Sequence, residues 1–176
     1  MALFLVESAL PSGTDQPQVQ AMLGRLASAA RERAGELIEA QVASDFSRLF
    51  AIIEAEAREA ATAAAQAAQL DLVQVKEVRL VGQSLDEVKA SRKSVDYVVE
   101  WNFPPGLTME RYLQRKAANS PKYTLVPEVT FLRTYVCEDM SKCLCFYDAD
   151  SEGDVLRARQ AVEAPVDAVT RVQPVE

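Results

Sequence analysis

The sequence predicts an α+β fold made of two ferredoxin-like βαββαβ units, whose four-stranded antiparallel sheets pack as an α/β sandwich or barrel. Three observations predict it. A stretch of chain recurs, the order of apolar periodicities is the same in both copies, and 176 residues at 49% hydrophobic can bury ~70% of the unfolded surface. Residues 37–56, LIEAQVASDFSRLFAIIEAE, align without gaps to residues 131–150, FLRTYVCEDMSKCLCFYDAD, about 94 positions on. Val42/Val136, Asp45/Asp139, Ser47/Ser141 and Ala55/Ala149 are identical, and Arg48/Lys142 and Glu54/Asp148 keep their charge. Upstream, Phe4-Leu5-Val6-Glu7 matches Tyr97-Val98-Val99-Glu100, and Pro11-Ser12-Gly13-Thr14 matches Pro104-Pro105-Gly106-Leu107.

The first copy, residues 1–82, opens with a strand over 2–10. A helix over 18–34 follows, with Val19, Met22, Leu23, Leu26 and Ala30 at spacings of three and four, Asp15 as N-cap, Pro17 in the first turn and Gln18 completing a capping box. Runs rich in Ile, Leu and Phe at 37–42 and 49–54 flank the polar Ser44-Asp45 and read as a hairpin. Residues 55–69 are Ala-rich without Gly or Pro and favour a helix, and residues 72–81 alternate as a last strand. Residues 83–94 are polar and read as a linker. In the second copy, 95–176, a strand spans 95–103, Thr108 caps a helix that Ser120-Pro121 stops, 129–136 and 142–148 form the hairpin, Ser151 caps a helix through Val162, and 166–172 close the sheet. This order puts two helices on one face of each sheet. The other faces would cover each other around an enclosed centre, the place for a ligand. Strand alternation assigns Phe4, Val6, Leu10, Tyr97, Val99, Trp101 and Phe103 to the helix-facing side, and Leu3, Leu5, Glu7, Val98, Glu100 and Asn102 to the opposite one. In the last hairpin Leu144 and Phe146 share one side, and Cys143, Cys145 and Tyr147 the other.

Lys and Arg total 19 against 26 Asp and Glu, so the net charge is -7, and without a basic stripe nucleic acid is not an expected partner. No apolar run approaches the ~20 residues that cross a bilayer, the first stretch carries Glu7 in place of a basic leader, and a cytoplasmic, membrane-free protein is expected. The chain has no His, which removes the usual general base, the Ser/His and Cys/His pairs, and imidazole metal sites. Neither a GxGxxG nor a GKS/T loop occurs, so no cofactor and no metal is expected.

The run LRTYVCEDMSKCLCFYDA, with VVEWNFPPGLT before it, resembles a ferredoxin-like family that includes a bacterial nickel-binding protein. Members read like FLVER followed by Pro, then LRSYV, a charged turn and FCxYDAP. The resemblance covers residues 98–172 and is weaker over the first copy. It implies recurrent roles for Glu100, Arg133, Tyr135, Cys145, Tyr147 and Asp148, of which the first copy keeps Glu7 and Glu54. Nickel in such a relative leans on imidazole, which this chain lacks, so the resemblance implies a fold rather than an activity.

Candidate ligand-binding residues are Glu7, Glu100, Arg133, Tyr135, Tyr147 and Cys145, and no catalytic residue is assigned. Two carboxylates enclosed together would raise one pKa and could work as acid and base. The plainer expectation pairs each with a strand neighbour such as Arg133 or Arg79. Cys143 and Cys145 sit two apart on one strand, too far to bond each other, whereas Cys137 faces Cys143 if the turn is 139–141. The first-copy equivalents Ala43, Leu49 and Ala51 are apolar, which favours core thiols. Arg111, Arg115, Lys116 and Lys122 with Tyr112 and Tyr123 form a basic, aromatic patch able to dock an acidic partner or merely to face solvent.

The function these residues favour is a non-catalytic ligand-binding or protein-interaction module built as a fused pseudo-dimer, monomeric or homodimeric. Its expected partners are a small-molecule ligand or an acidic protein. Two alternatives stay open. One is a cofactor-independent enzyme of oxygenase, decarboxylase or isomerase type, with Glu7 or Glu100 as base and Arg133 or Tyr135 as anchor. The other is a carboxylate and thiolate metal binder.

Overall fold

The computed structural model describes residues 1–91 and 93–175; Arg92, inside the expected linker, and Glu176 lie outside the described residues. The first copy folds as β1 (Ala2–Ala9), α1 (Gln16–Glu32), β2 (Glu36–Ala43), β3 (Arg48–Ala55), α2 (Arg58–Ala67) and β4 (Asp71–Val81). A short helix, α3 (Leu85–Ala90), leads to β5 (Tyr97–Asn102), α4 (Met109–Asn119), β6 (Thr130–Cys137), β7 (Lys142–Asp148), α5 (Glu152–Ala161) and β8 (Ala168–Pro174). Local chemistry sets these ends. Asp15 and Gln18 make the expected reciprocal capping box on α1, and Thr108 and Ser151 accept from backbone amides of α4 and α5. The polar 83–94 segment carries α3, which Ser84 and Glu87 start with a second capping box. The α-helix α4 stops at Asn119, as expected, and the chain goes on as a 3-10 helix over Ser120–Leu125, where a proline in the first turn loses no needed amide.

The duplication is visible in the backbone. Gly13 and Gly106 both have φ of 84°, Phe46 and Met140 both turn their hairpins at φ of 57°, and Gln69 and Glu163 both leave their helices in the left-handed region. Each copy builds its own antiparallel sheet, in the orders β4-β1-β3-β2 and β8-β5-β7-β6. The sheets do not stack face to face. They join edge to edge at two seams, β2 with β8 (Gln41–Pro174, Val42–Gln173, Ala43–Val172) and β4 with β6 (Val78–Cys137 to Val81–Thr134), and close a barrel. Closure pairs all four outer strands, which would otherwise present unpaired amides and carbonyls.

Strand alternation sorts the side chains as the sequence implies. Phe4, Val6 and Leu10 pack outward with Val19, Leu23 and Leu26 of α1 and Ala61, Ala64 and Ala65 of α2. Tyr97, Val99 and Trp101 pack outward with Tyr112 of α4 and Val155 and Ala158 of α5. Inward lie Leu5, Phe50, Ile52, Val98, Tyr135, Leu144 and Phe146, each nearly inaccessible. The enclosed centre expected to hold a ligand is therefore filled. An eight-stranded barrel is just wide enough for its own side chains, and this one points three aromatic rings into it.

No helix among the described residues is long and apolar enough to cross a membrane.

Candidate functional site

Glu7 and Glu100 do meet, at the barrel end where β1 and β5 finish and β3 and β7 begin. Their partners are not Arg133 or Arg79. Arg48 and Lys142, the first residues of β3 and β7, bridge both carboxylates: Arg48 donates to Glu7 at 3.0 Å and to Glu100 at 3.1 Å, and Lys142 donates to each at 3.0 Å. Gln74 adds a hydrogen bond to Glu7. Each copy thus gives one carboxylate and one cation to a neutral quartet. Burial works to raise the pKa of Glu100, but the hydrogen bonds from Arg48 and Lys142 outweigh it and hold the carboxyl below its ordinary range. Such a group is a poor proton shuttle near neutral pH.

Arg133 and Tyr135 lie at the opposite end of the barrel. A β-bulge between Phe131 and Arg133 turns Leu132 and Arg133 to the same side, and the matching bulge between Leu37 and Glu39 does the same for Ile38 and Glu39. Glu39 and Arg133 are equivalent positions of the two copies, and they meet in a bidentate pair, Nε to Oε2 at 2.9 Å and Nη2 to Oε1 at 2.7 Å. Tyr135 also donates to Glu39, Gln41 donates to it at 3.2 Å, and Arg133 donates to Gln83 at 3.1 Å. Arg79 pairs instead with Glu138. The base and anchor of the enzyme alternative are thus at opposite ends of a filled barrel.

Cys137 does not face Cys143. The register pairs Val136 with Cys143, so Cys137 points into the barrel while Cys143 and Cys145 point outward, and all three thiols are free and buried. A one-residue difference in register moves a side chain to the other face.

The remaining two candidates, Cys145 and Tyr147, belong to a third place. On the outer face of the second copy, between β7, α4 and α5, Arg159 is only 2% exposed. Its Nη1 donates to the Tyr147 hydroxyl at 3.1 Å and to the Cys145 sulfur at 3.3 Å, its Nη2 donates to the Pro165 carbonyl, and its Nε has no partner. The Tyr147 and Tyr123 hydroxyls are 2.6 Å apart. Burial, helped by the charge of Cys145, pushes Tyr123 up to about 12, so both phenols stay protonated at neutral pH.

Above Arg159 is a cavity of about 30 Å³, walled by Trp101, Tyr112 and Tyr123 and edged by Arg115, Lys116 and Asn119. That is room for a water-sized group. Lys116 lies over the Phe131 ring at 4.1 Å, and among the described residues its ammonium has no hydrogen-bond or carboxylate partner. Burial accordingly lowers its pKa. Arg115 stacks on Trp101 and donates to the carbonyl of Glu163, and Lys122 pairs with the Glu163 carboxylate outside the cavity. Three cations thus border a cavity that no carboxylate lines, in a chain of net charge -7.

The sequence reading placed Arg115, Lys116, Tyr112 and Tyr123 in one basic, aromatic patch but missed Arg159. The signal was present. Val155, Arg159 and Val162 recur at spacings of four and three, a buried helical stripe with an arginine in it.

Residues 97–172 match the family of nickel responsive proteins described as SCO4226-like. No curated protein sequence matches the chain. Among solved structures, a protein assigned as a chlorite dismutase is 10% identical with a TM-score of 0.61, over 98% of this chain and 95% of its own. A protein from Lactobacillus acidophilus assigned as a monooxygenase is 9% identical with a TM-score of 0.53, over 100% and 94%. Another so assigned, from Fusobacterium nucleatum, is 10% identical with a TM-score of 0.51, over 99% and 92%. At these identities the likeness is one of fold, a ferredoxin-like α+β barrel, and carries no activity with it. The family's metal does not fit this donor set. The chain has no His, and among the described residues no three Cys, Asp or Glu side chains converge as a metal-holding group.

Proposed function

We propose that the chain is a non-catalytic binding module for a small carboxylate, whose head group enters the cavity above Arg159. One observation carries this reading: Lys116 and Arg159 line the same cavity, and no carboxylate lines it. A cation partly withdrawn from water without a carboxylate partner, as Lys116 is, is costly, and an incoming anion lowers that cost by pairing with it. The cavity volume limits the buried part to the head group, with the rest of the ligand lying outward along α4. Neither carboxylate of the barrel-end quartet has the free valence that a ligand site needs, because both are bonded to Arg48 and Lys142.

The test uses the chain's single tryptophan, Trp101, which walls the cavity. Acetate titrated into the full chain shifts Trp101 emission saturably, and neutral acetamide of the same shape does not. Lys116→Leu, which installs the residue of the equivalent first-copy position, removes the acetate response while the protein melts at the same temperature or higher. An equal response to acetamide, or an unchanged response in the variant, overturns the reading.

A further inference from the structure

We propose that the ligand of the cavity above Arg159 is a linear dicarboxylate, whose inner acid meets Lys116 and whose outer acid meets Arg115. This deepens the small-carboxylate reading and rests on it.

The two cations are neighbours in sequence and stand apart in space. Residues one apart on a helix do not face each other, so Arg115 and Lys116 leave α4 in different directions while both line the cavity. Lys116, half-buried, lies over the Phe131 ring at 4.1 Å, and the exposed Arg115 lies over the Trp101 ring at 5.4 Å. Those rings belong to β6 and β5, which pair with β7 on its two sides, Phe131 opposite Tyr147 and Trp101 opposite Cys143. They are therefore two strand spacings, ~10 Å, apart across the sheet, and they are offset along it as well. The two oxygens of one carboxylate cannot reach both charges. A linear diacid of about four to six carbons spans such a gap with a hydrogen bond of ~2.8 Å at each end.

Arg115 is also set to receive an acid. Its guanidinium is fixed on two sides, by the Trp101 ring and by one hydrogen bond to the backbone carbonyl of Glu163. That bond uses one N–H of a group that carries several more in a planar fork. The carboxylate of Glu163 itself is given to Lys122. Among the described residues no carboxylate forms a salt bridge with Arg115 or Lys116.

The first copy supplies the contrast. The N-caps Asp15 and Thr108 align α1 with α4 and set Met22 and Leu23 against Arg115 and Lys116. An apolar pair suffices at this place in the fold, so the two cations are not there for packing. One carboxylate would match one of them; a dicarboxylate matches both.

The experiment is isothermal titration calorimetry on the full chain at neutral pH and constant ionic strength, with succinate, monomethyl succinate, fumarate, maleate and acetate. Succinate should bind at least about tenfold tighter than its monomethyl ester, which keeps the length and loses one charge. Fumarate, extended, should bind at least about fivefold tighter than maleate, which holds the same two charges on one side. Arg115→Gln should bring succinate down to the affinity of the monoester, with circular dichroism used to confirm the fold; the comparison of ligands on the parent chain needs no variant. Succinate no tighter than its ester, maleate equal to fumarate, or a folded Arg115→Gln protein that keeps the preference each overturn the proposal. Acetate binding without a preference for the extended diacid sinks this proposal alone, whereas no binding of any of the five acids sinks the carboxylate reading together with it.

Discussion

The two helix–sheet interfaces share one backbone and differ in chemistry. In the first copy Val19, Leu23 and Leu26 of α1 meet Ala51 and Ile53 of β3 and Ala65 of α2 in a dry, apolar layer. The equivalent positions of the second copy are Tyr112, Lys116, Asn119, Cys145, Tyr147 and Arg159. Since the first copy shows that this fold packs well with small apolar residues there, the polar set of the second is not required by architecture. Substitution of a buried cation and its partners by apolar side chains is often neutral or stabilising. That is the pattern expected where a protein keeps stability-costly groups for a ligand or a reaction. The barrel ends teach the opposite lesson. There the copies pool charged residues into sets in which every carboxylate meets a cation, which hold the halves together.

The sharpest way to break the comparison is to move its key residue. Ala65→Arg puts a guanidinium at the first-copy position equivalent to Arg159, in the apolar cluster with Ala51, Ile53 and Leu23, which holds no thiol or phenol. It should cost about 4 kcal/mol or more, read by urea denaturation. A cost under about 1 kcal/mol would show that either interface tolerates the charge. Next in size is the seam between the copies. Arg133→Glu places two carboxylates at the meeting point of equivalent positions and should lose about 3–5 kcal/mol, the range for breaking a buried pair. Combining it with Glu39→Arg exchanges the two charges and should recover at least half of the loss; no recovery would mean that the surrounding Tyr135 and Gln83 contacts, not the pair, fix this end.

The smallest effect is at the quartet. Glu100 has a folded pKa below its unfolded value, so its contribution is present above the ordinary glutamate range and is lost as the pH falls through the folded pKa. Because Arg48 is 37% exposed, the contribution should be about 1 kcal/mol. Glu100→Gln should therefore lower stability modestly at pH 7 and flatten its decline between about pH 5 and pH 3. An unchanged acid limb would place that decline elsewhere.

Much of this was legible in the chain itself. Turn chemistry and caps are local, so the repeat, the hairpins around Asp45 and Asp139, and the inward and outward sides of β1, β5 and β7 could be read directly. What escaped depends on contacts far apart in sequence. Glu7 finds Lys142, and Glu39 finds Arg133, only after the sheets have joined edge to edge, and no periodicity reports an ion pair across that distance. The bulges at Ile38 and Leu132 were missed for a related reason: one extra residue leaves little trace in an alternating pattern, yet it decides that Glu39 and Arg133 face inward. Cys145 and Tyr147 were singled out, but with the barrel-end residues rather than with Lys116. Arg159 was passed over because a lone arginine in a polar helix reads as a solvated face, although its first-copy equivalent, Ala65, is buried.

The central claim is that the second copy's helix–sheet layer holds a site for an anion and the first copy's does not. Anomalous diffraction from crystals soaked in bromide tests it most directly. The account predicts a bromide peak within hydrogen-bonding reach of Lys116 Nζ, in the cavity floored by Arg159, and none beside Leu23 and Ala65. An empty second-copy cavity with bromide bound only at exposed lysines and arginines would contradict it.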